Sequence, residues 1–308
     1  MSDKNETFLS LKVDVDTLRG YREGVPRMLD LFERLGIRAS IFFSFGPDNS
    51  GKAIRRIFRK GFLTKMLRTK APSTYGFKTL LYGTLLPAPQ IVKQAPEILK
   101  RAHQKGHECG THAWDHVRWQ DELQRMDCPA IRDEFAKARK LFKEIIGADA
   151  TSCAAPGWQV TAKSLEVQDE LNLCYASDTR GTEPFYPRYG NKTFKTLQIP
   201  TTLPTLDELL GAPGMDDTTI LHLWMDGMQH RFNVLTIHAE MEGLSKLDFL
   251  EIFLLKCLQK GVRFIALAEV AKQCAEKETP MCDILMDTLD GRAGTLAIQK
   301  NGGEKHVL

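Results

Sequence analysis

No apolar run in these 308 residues approaches the length needed to cross a bilayer, which argues against a transmembrane helix. The opening Met1-Ser2-Asp3-Lys4-Asn5-Glu6 lacks the basic-then-apolar pattern of a secretory leader, so a cytoplasmic protein is expected. Cysteine is scarce. The seven form an odd set without paired metal-knuckle spacing, and Cys109, Cys153, Cys174 and Cys257 lie in apolar segments as small buried residues do. A disulfide scaffold is therefore not expected. No Gly-rich phosphate loop follows the first apolar run, which counts against a dinucleotide fold, and there are no internal repeats.

The most informative absence is local. From Asn49 to Pro96 there is no Asp or Glu, while Lys52, Arg55, Arg56, Arg59, Lys60, Lys65, Arg68, Lys70, Lys78 and Lys93 are all present. These cations interleave with Ile54, Ile57, Phe58, Phe62, Leu63, Met66 and Leu67, the pattern of an amphipathic helix with one basic and one apolar face. A solvated helix normally mixes charge signs to gain cross-turn pairs, and this stretch does not. Residues 46–90 are thus expected to form an insertion facing an anionic membrane, led by Arg55, Arg56, Arg59 and Lys60. Near such a leaflet each cation contributes about 1 kcal/mol. No nucleic-acid partner is expected, because no nucleic-acid module is present and the apolar residues are as prominent as the charges.

Elsewhere, strand and helix patterns alternate. Strands are predicted over Phe8–Val15, Arg38–Phe43, His107–Thr111, Ser152–Ala155, Leu173–Ser177, Thr196–Pro200, Thr219–Trp224, Val234–His238 and Arg263–Leu267. Helices are predicted over Glu23–Leu35, Ile91–Lys105, Pro129–Ile146, Ala162–Leu171 and Lys246–Lys260, four of them stopped by glycine. Such alternation predicts a parallel sheet, doubly wound or closed as a barrel. Asp14, Asp16, His112, Asp178 and His238 all fall at or just past the C-terminal ends of predicted strands, which favours the barrel. One domain over 1–275 is expected, followed by a polar tail over 276–308.

Asp14 and Asp16 are two apart on a strand and so project from one face, a costly pair to bury without a partner. His112 and His116, four apart, are expected on one face of a helical turn. Neutral imidazoles plus a carboxylate are a common ligand set for a divalent metal with open positions, so the constellation points to a metal-activated water.

These motifs resemble the NodB-like polysaccharide deacetylase family, carbohydrate esterase family 4. The resemblance rests on Asp14-Val15-Asp16, on Gly110-Thr111-His112-Ala113-Trp114-Asp115-His116, on Cys153-Ala154-Ala155-Pro156-Gly157-Trp158, on Ser177-Asp178 and on Val234-Leu235-Thr236-Ile237-His238, and it spans about residues 7–270. It implies a distorted (β/α) barrel and one divalent ion (Zn, Mn or Co) held by Asp16, His112 and His116. It further implies Asp14 as general base and His238 as general acid. His222 also follows a short apolar run, and the local pattern alone does not choose between it and His238. Trp114, Pro156 and Trp158 are the substrate contacts expected from the same motifs. Ala154 stands where the family usually has arginine, and Arg180 is the candidate to orient the catalytic carboxylate instead.

More narrowly, the acid-free insertion, the Ala-Ala-Pro-Gly-Trp loop and His238-Ala239-Glu240-Met241-Glu242-Gly243 resemble the deformylase branch of that family. This implies undecaprenyl-phosphate-linked 4-deoxy-4-formamido-L-arabinose as substrate, lipid A modification and polymyxin resistance as context, and the inner face of the bacterial inner membrane as location. Three other readings compete. They are a polysaccharide or peptidoglycan N-deacetylase, an allantoinase-like cyclic amide hydrolase, and a membrane-binding regulatory protein on an inactive fold.

Overall fold

The structure is a computed structural model and describes residues 6–53 and 78–300. Phe8–Val15 (β1) is buried along its whole length, as a strand covered on both faces must be. Around it run Ser40–Ser44 (β2), Glu108–Ala113 (β3), Ser152–Cys153 (β4), Tyr175–Ala176 (β5), Tyr186–Tyr189 (β6), Lys192–Thr193 (β7) and Leu197–Gln198 (β8). Phe232–His238 (β9), Arg263–Phe264 (β10), Met281–Thr288 (β11) and Thr295–Lys300 (β12) follow. The main sheet has eight strands in the order β10-β1-β2-β3-β4-β5-β8, with β9 on the other edge of β1, and every pairing in it is parallel.

The sheet curls into a distorted (β/α) barrel. Between β8 and β9 a few hydrogen bonds replace a full ladder: the N–H groups of Thr202 and Leu203 both donate to the Val234 carbonyl at 3.1 Å, and the Thr201 and Thr236 hydroxyls meet at 2.7 Å. Register fixes what lies at the C-terminal rim. Asp14 stands opposite Phe42 of β2 on one side and His238 of β9 on the other.

Two segments differ from the sequence expectation. Thr219–Trp224 is not a strand but lies within a helix, Asp217–Gly227. The Asp216 carboxylate accepts the Thr219 N–H at 2.7 Å as N-cap, and Ile220, Leu221, Trp224 and Met225 are buried at helical spacing. The β-branched run Thr218-Thr219-Ile220 mimics a strand and conceals that start. The segment read as a polar tail contains a folded hairpin. β11 pairs antiparallel with β12 and parallel with β6, in a second sheet ordered β12-β11-β6-β7. Backbone bonds from Arg180 to Ala297 and from Gln299 to Arg180, each 2.8 Å, sew it to the loop after β5.

Candidate metal centre and active site

Three side chains converge, one just past β1, one on β3 and one at the start of the helix that follows β3. Asp16 Oδ1 lies 3.2 Å from His112 Nε2 and 3.4 Å from His116 Nε2, and the ligating atoms all fall within 4.8 Å of one another. The two histidines do not share a helical turn, contrary to expectation. His112 belongs to β3, and His116 opens the helix His116–Glu122 beyond a tight connection. Asp115 makes that connection possible, accepting the Arg118 N–H at 3.0 Å as N-cap and the Asn49 amide at 2.6 Å.

His112 Nδ1 sits 2.8 Å from the Ala154 carbonyl, which can only accept, so Nδ1 carries a proton and Nε2, which faces Asp16, is the nitrogen left for a metal. Burial disfavours protonation of His112, yet Asp14 and Asp16 outweigh it and raise its pKa. For Asp16, burial alone would raise the pKa. His116 first, then His112 and His238, hold the carboxyl far below the usual range. Two nitrogens and one carboxylate oxygen match the donor set of a catalytic divalent metal, and Asp16 Oδ1 is a buried atom that no protein hydrogen bond satisfies. The residues fit such an ion.

Asp14 is buried beside this cluster. Its Oδ2 lies 3.3 Å from the Lys12 ammonium, and its Oδ1 has no hydrogen-bond partner. His238, half-buried, ends β9; its N–H donates to Glu242 Oε2 at 2.8 Å and its Nδ1 is unpartnered. Burial pushes the Glu242 carboxyl up to about 7, against the pull of His238.

Other expected residues fall elsewhere. Arg180 does not reach Asp14: its guanidinium meets Glu208 Oε1 at 2.6 Å and the carbonyls of Thr201 and Leu203 at 3.2 and 3.1 Å. The cation beside Asp14 is Lys12. Trp158 is only 2% exposed and offers no face to a ligand; Lys12, Arg180 and Arg292 lie 5.3, 5.3 and 4.4 Å from its ring centre. Pro156 is buried too, whereas Trp114 keeps some exposed surface. His222 is exposed on the helix Asp217–Gly227. Asp178 accepts the Ala155 N–H at 2.7 Å and so anchors the loop after β4; burial lifts its pKa to about 6. Arg55, Arg56, Arg59 and Lys60 lie outside the described residues.

Two residues escaped the sequence reading. Lys12 precedes Asp14 by two residues on β1 and so shares its face, but that spacing alone does not foretell its burial. Glu240, fully buried, accepts from the N–H of Asp16 at 3.0 Å and from the N–H and hydroxyl of Thr17 at 2.8 Å, holding the ligand loop in place. A Cβ at Gly20 would stand 2.1 Å from that carboxylate, so this turn requires glycine.

Comparison with known proteins places this arrangement. Residues 4–176 match the polysaccharide deacetylase family. The chain is 39% identical over 304 residues to a probable 4-deoxy-4-formamido-L-arabinose-phosphoundecaprenol deformylase of Shewanella sediminis, covering 97% of each. A protein of the same name from Wigglesworthia glossinidia brevipalpis is 33% identical over 287 residues, which cover 91% of this chain and 98% of that one. A solved allantoinase shares the fold at a TM-score of 0.60 and 16% identity, over 90% of this chain and 93% of the other. This chain belongs to the polysaccharide deacetylase family and is a hydrolase of linear amides.

Proposed function

We propose that the chain removes the formyl group from undecaprenyl-phosphate-linked 4-deoxy-4-formamido-L-arabinose, giving formate and the free amine. The observation that carries this is the convergence of Asp16, His112 and His116, in a chain alignable nearly end to end with relatives named for that reaction. A divalent cation on those three residues, Zn, Mn or Co, supplies Lewis acidity toward the formyl oxygen and makes a nearby water more acidic. Asp14 Oδ1, unpartnered and beside the cluster, receives the proton as water adds to the formyl carbon. His238, across the strand pair from Asp14, gives a proton to the departing nitrogen, which otherwise leaves poorly as an amide anion. The amine produced is the group used to modify lipid A, so loss of activity should restore polymyxin sensitivity.

Mass spectrometry of products from formylated and acetylated lipid-linked amino sugars tests this reading. Deformylation that stops on chelation and returns with added metal is expected; preference for the acetylated substrate would overturn the substrate assignment.

A membrane role for residues 46–90 is part of the same proposal. In this proposal the lipid-linked substrate is met at the membrane surface; among the described residues no helix is long and apolar enough to cross a membrane. Leu85, 80% exposed, tips a turn closed by the bond from Gly83 N–H to the Leu86 carbonyl at 2.8 Å. That turn is tied through Gly51–Tyr82 and Asp48–Pro89 backbone bonds to the segment whose Asn49 holds Asp115, between the two histidines. An apolar tip in an acid-free stretch suits an anionic surface. Reversing the charges of Arg55, Arg56 and Arg59 should weaken liposome binding by more than the roughly 3 kcal/mol that losing three cations costs at about 1 kcal/mol each, while activity on a short soluble analogue persists. Equal loss on both substrates would refute the docking role.

A further inference from the structure

Lys12 carries a full charge into the interior of the barrel, at 0% exposure, where neither the proposed metal ligands nor the proton donor requires one. A buried ammonium is costly unless acceptors surround it, and here they are specific. Nζ donates to the Ser177 carbonyl at 3.1 Å, lies 3.3 Å from Asp14 Oδ2 and stands 5.3 Å from the Trp158 ring centre. Trp158 in turn is flanked by Arg292 and Arg180, 4.4 and 5.3 Å from its ring centre. The two oxygens of Asp14 therefore differ: Oδ2 is tethered, and Oδ1 is buried without a partner.

We propose that Lys12 is a positioning residue for Asp14, pinning Oδ2 to the Ser177 end of β5 so that Oδ1 is the oxygen presented to the reacting water. This rests on Asp14 acting as the base. Because a displacement near 1 Å costs about 10²-fold in rate, Lys12→Met, which keeps the length and removes the donor, should lower kcat by about 10². KM and metal stoichiometry should stay as in the wild type. Lys12→Gln retains an N–H donor without charge and should recover about tenfold of that loss, the value of one hydrogen bond. In a double-mutant cycle Lys12→Met should add nothing to Asp14→Asn, since both act through the same carboxylate.

The kinetics are read on formylated and acetylated amino sugars, using the amide that the wild type cleaves. A wild type active only on the acetylated sugar overturns the substrate proposal and leaves the Lys12 cycle intact. Wild-type kcat in Lys12→Met, loss of metal or of cooperative unfolding along with activity, no recovery in Lys12→Gln, or multiplicative losses in the double mutant would each overturn the positioning role.

Discussion

Asp16→Ala should lose bound metal and turnover together, whereas Asp14→Asn should lose turnover and keep the metal. Among the described residues Asp16 is the anionic member of the cluster, so its removal leaves two imidazoles and no charge to offset a divalent ion. Lewis acidity is worth several kcal/mol, so the rate on the formylated substrate should fall by about 10³-fold or more. Asp14 stands beside the cluster without being one of its three members, and its loss should cost the 10²–10⁴-fold typical of a general base. Metal content after dialysis, measured by plasma emission beside kcat, separates the two. Asp16→Ala with a full complement of metal, or Asp14→Asn with native kcat, would contradict the assignment.

The contrast shows which parts of the site were legible. Two carboxylates at the end of an apolar strand share a face by geometry alone, so Asp14 and Asp16 could be paired from the sequence. His112 and His116 could be paired as ligands, but their helical placement was wrong because spacing four does not distinguish a helical turn from a strand followed by a helix. The capping propensity of Asp115 was the signal that marks the difference. Lys12 shows a harder limit. A lone lysine in a strand ordinarily reads as solvated, and its burial depends on the Ser177 carbonyl, 165 residues away in sequence. Arg180 failed as a substitute for the same reason: the competing partner, Glu208, could not be foreseen. Burial disfavours the Glu208 carboxylate, but Arg180 and Arg292 outweigh that and lower its pKa. The hairpin of β11 and β12 was hidden by its short amphipathic pattern, in which Cys282 and Ile284 turn inward between polar or exposed neighbours.

His238→Ala should lower kcat on the formylated sugar by 10²–10⁴-fold, the usual cost of losing leaving-group protonation. His222→Ala should stay within about twofold of wild type, as exposed substitutions generally do. The structure separates the two residues that the local pattern left level. His238 is in register with Asp14 and close enough to Asp16 to help hold that carboxylate ionised, while His222 sits on the outer face of a helix. The leaving group provides the sharper test. A formanilide bearing a p-nitro group expels a much less basic nitrogen and needs less protonation, so the His238→Ala deficit should shrink on it while that of Asp14→Asn persists. A His238→Ala deficit of the same size on both substrates would mean that the imidazole serves binding or structure, and the search for the acid would pass to another group at the rim.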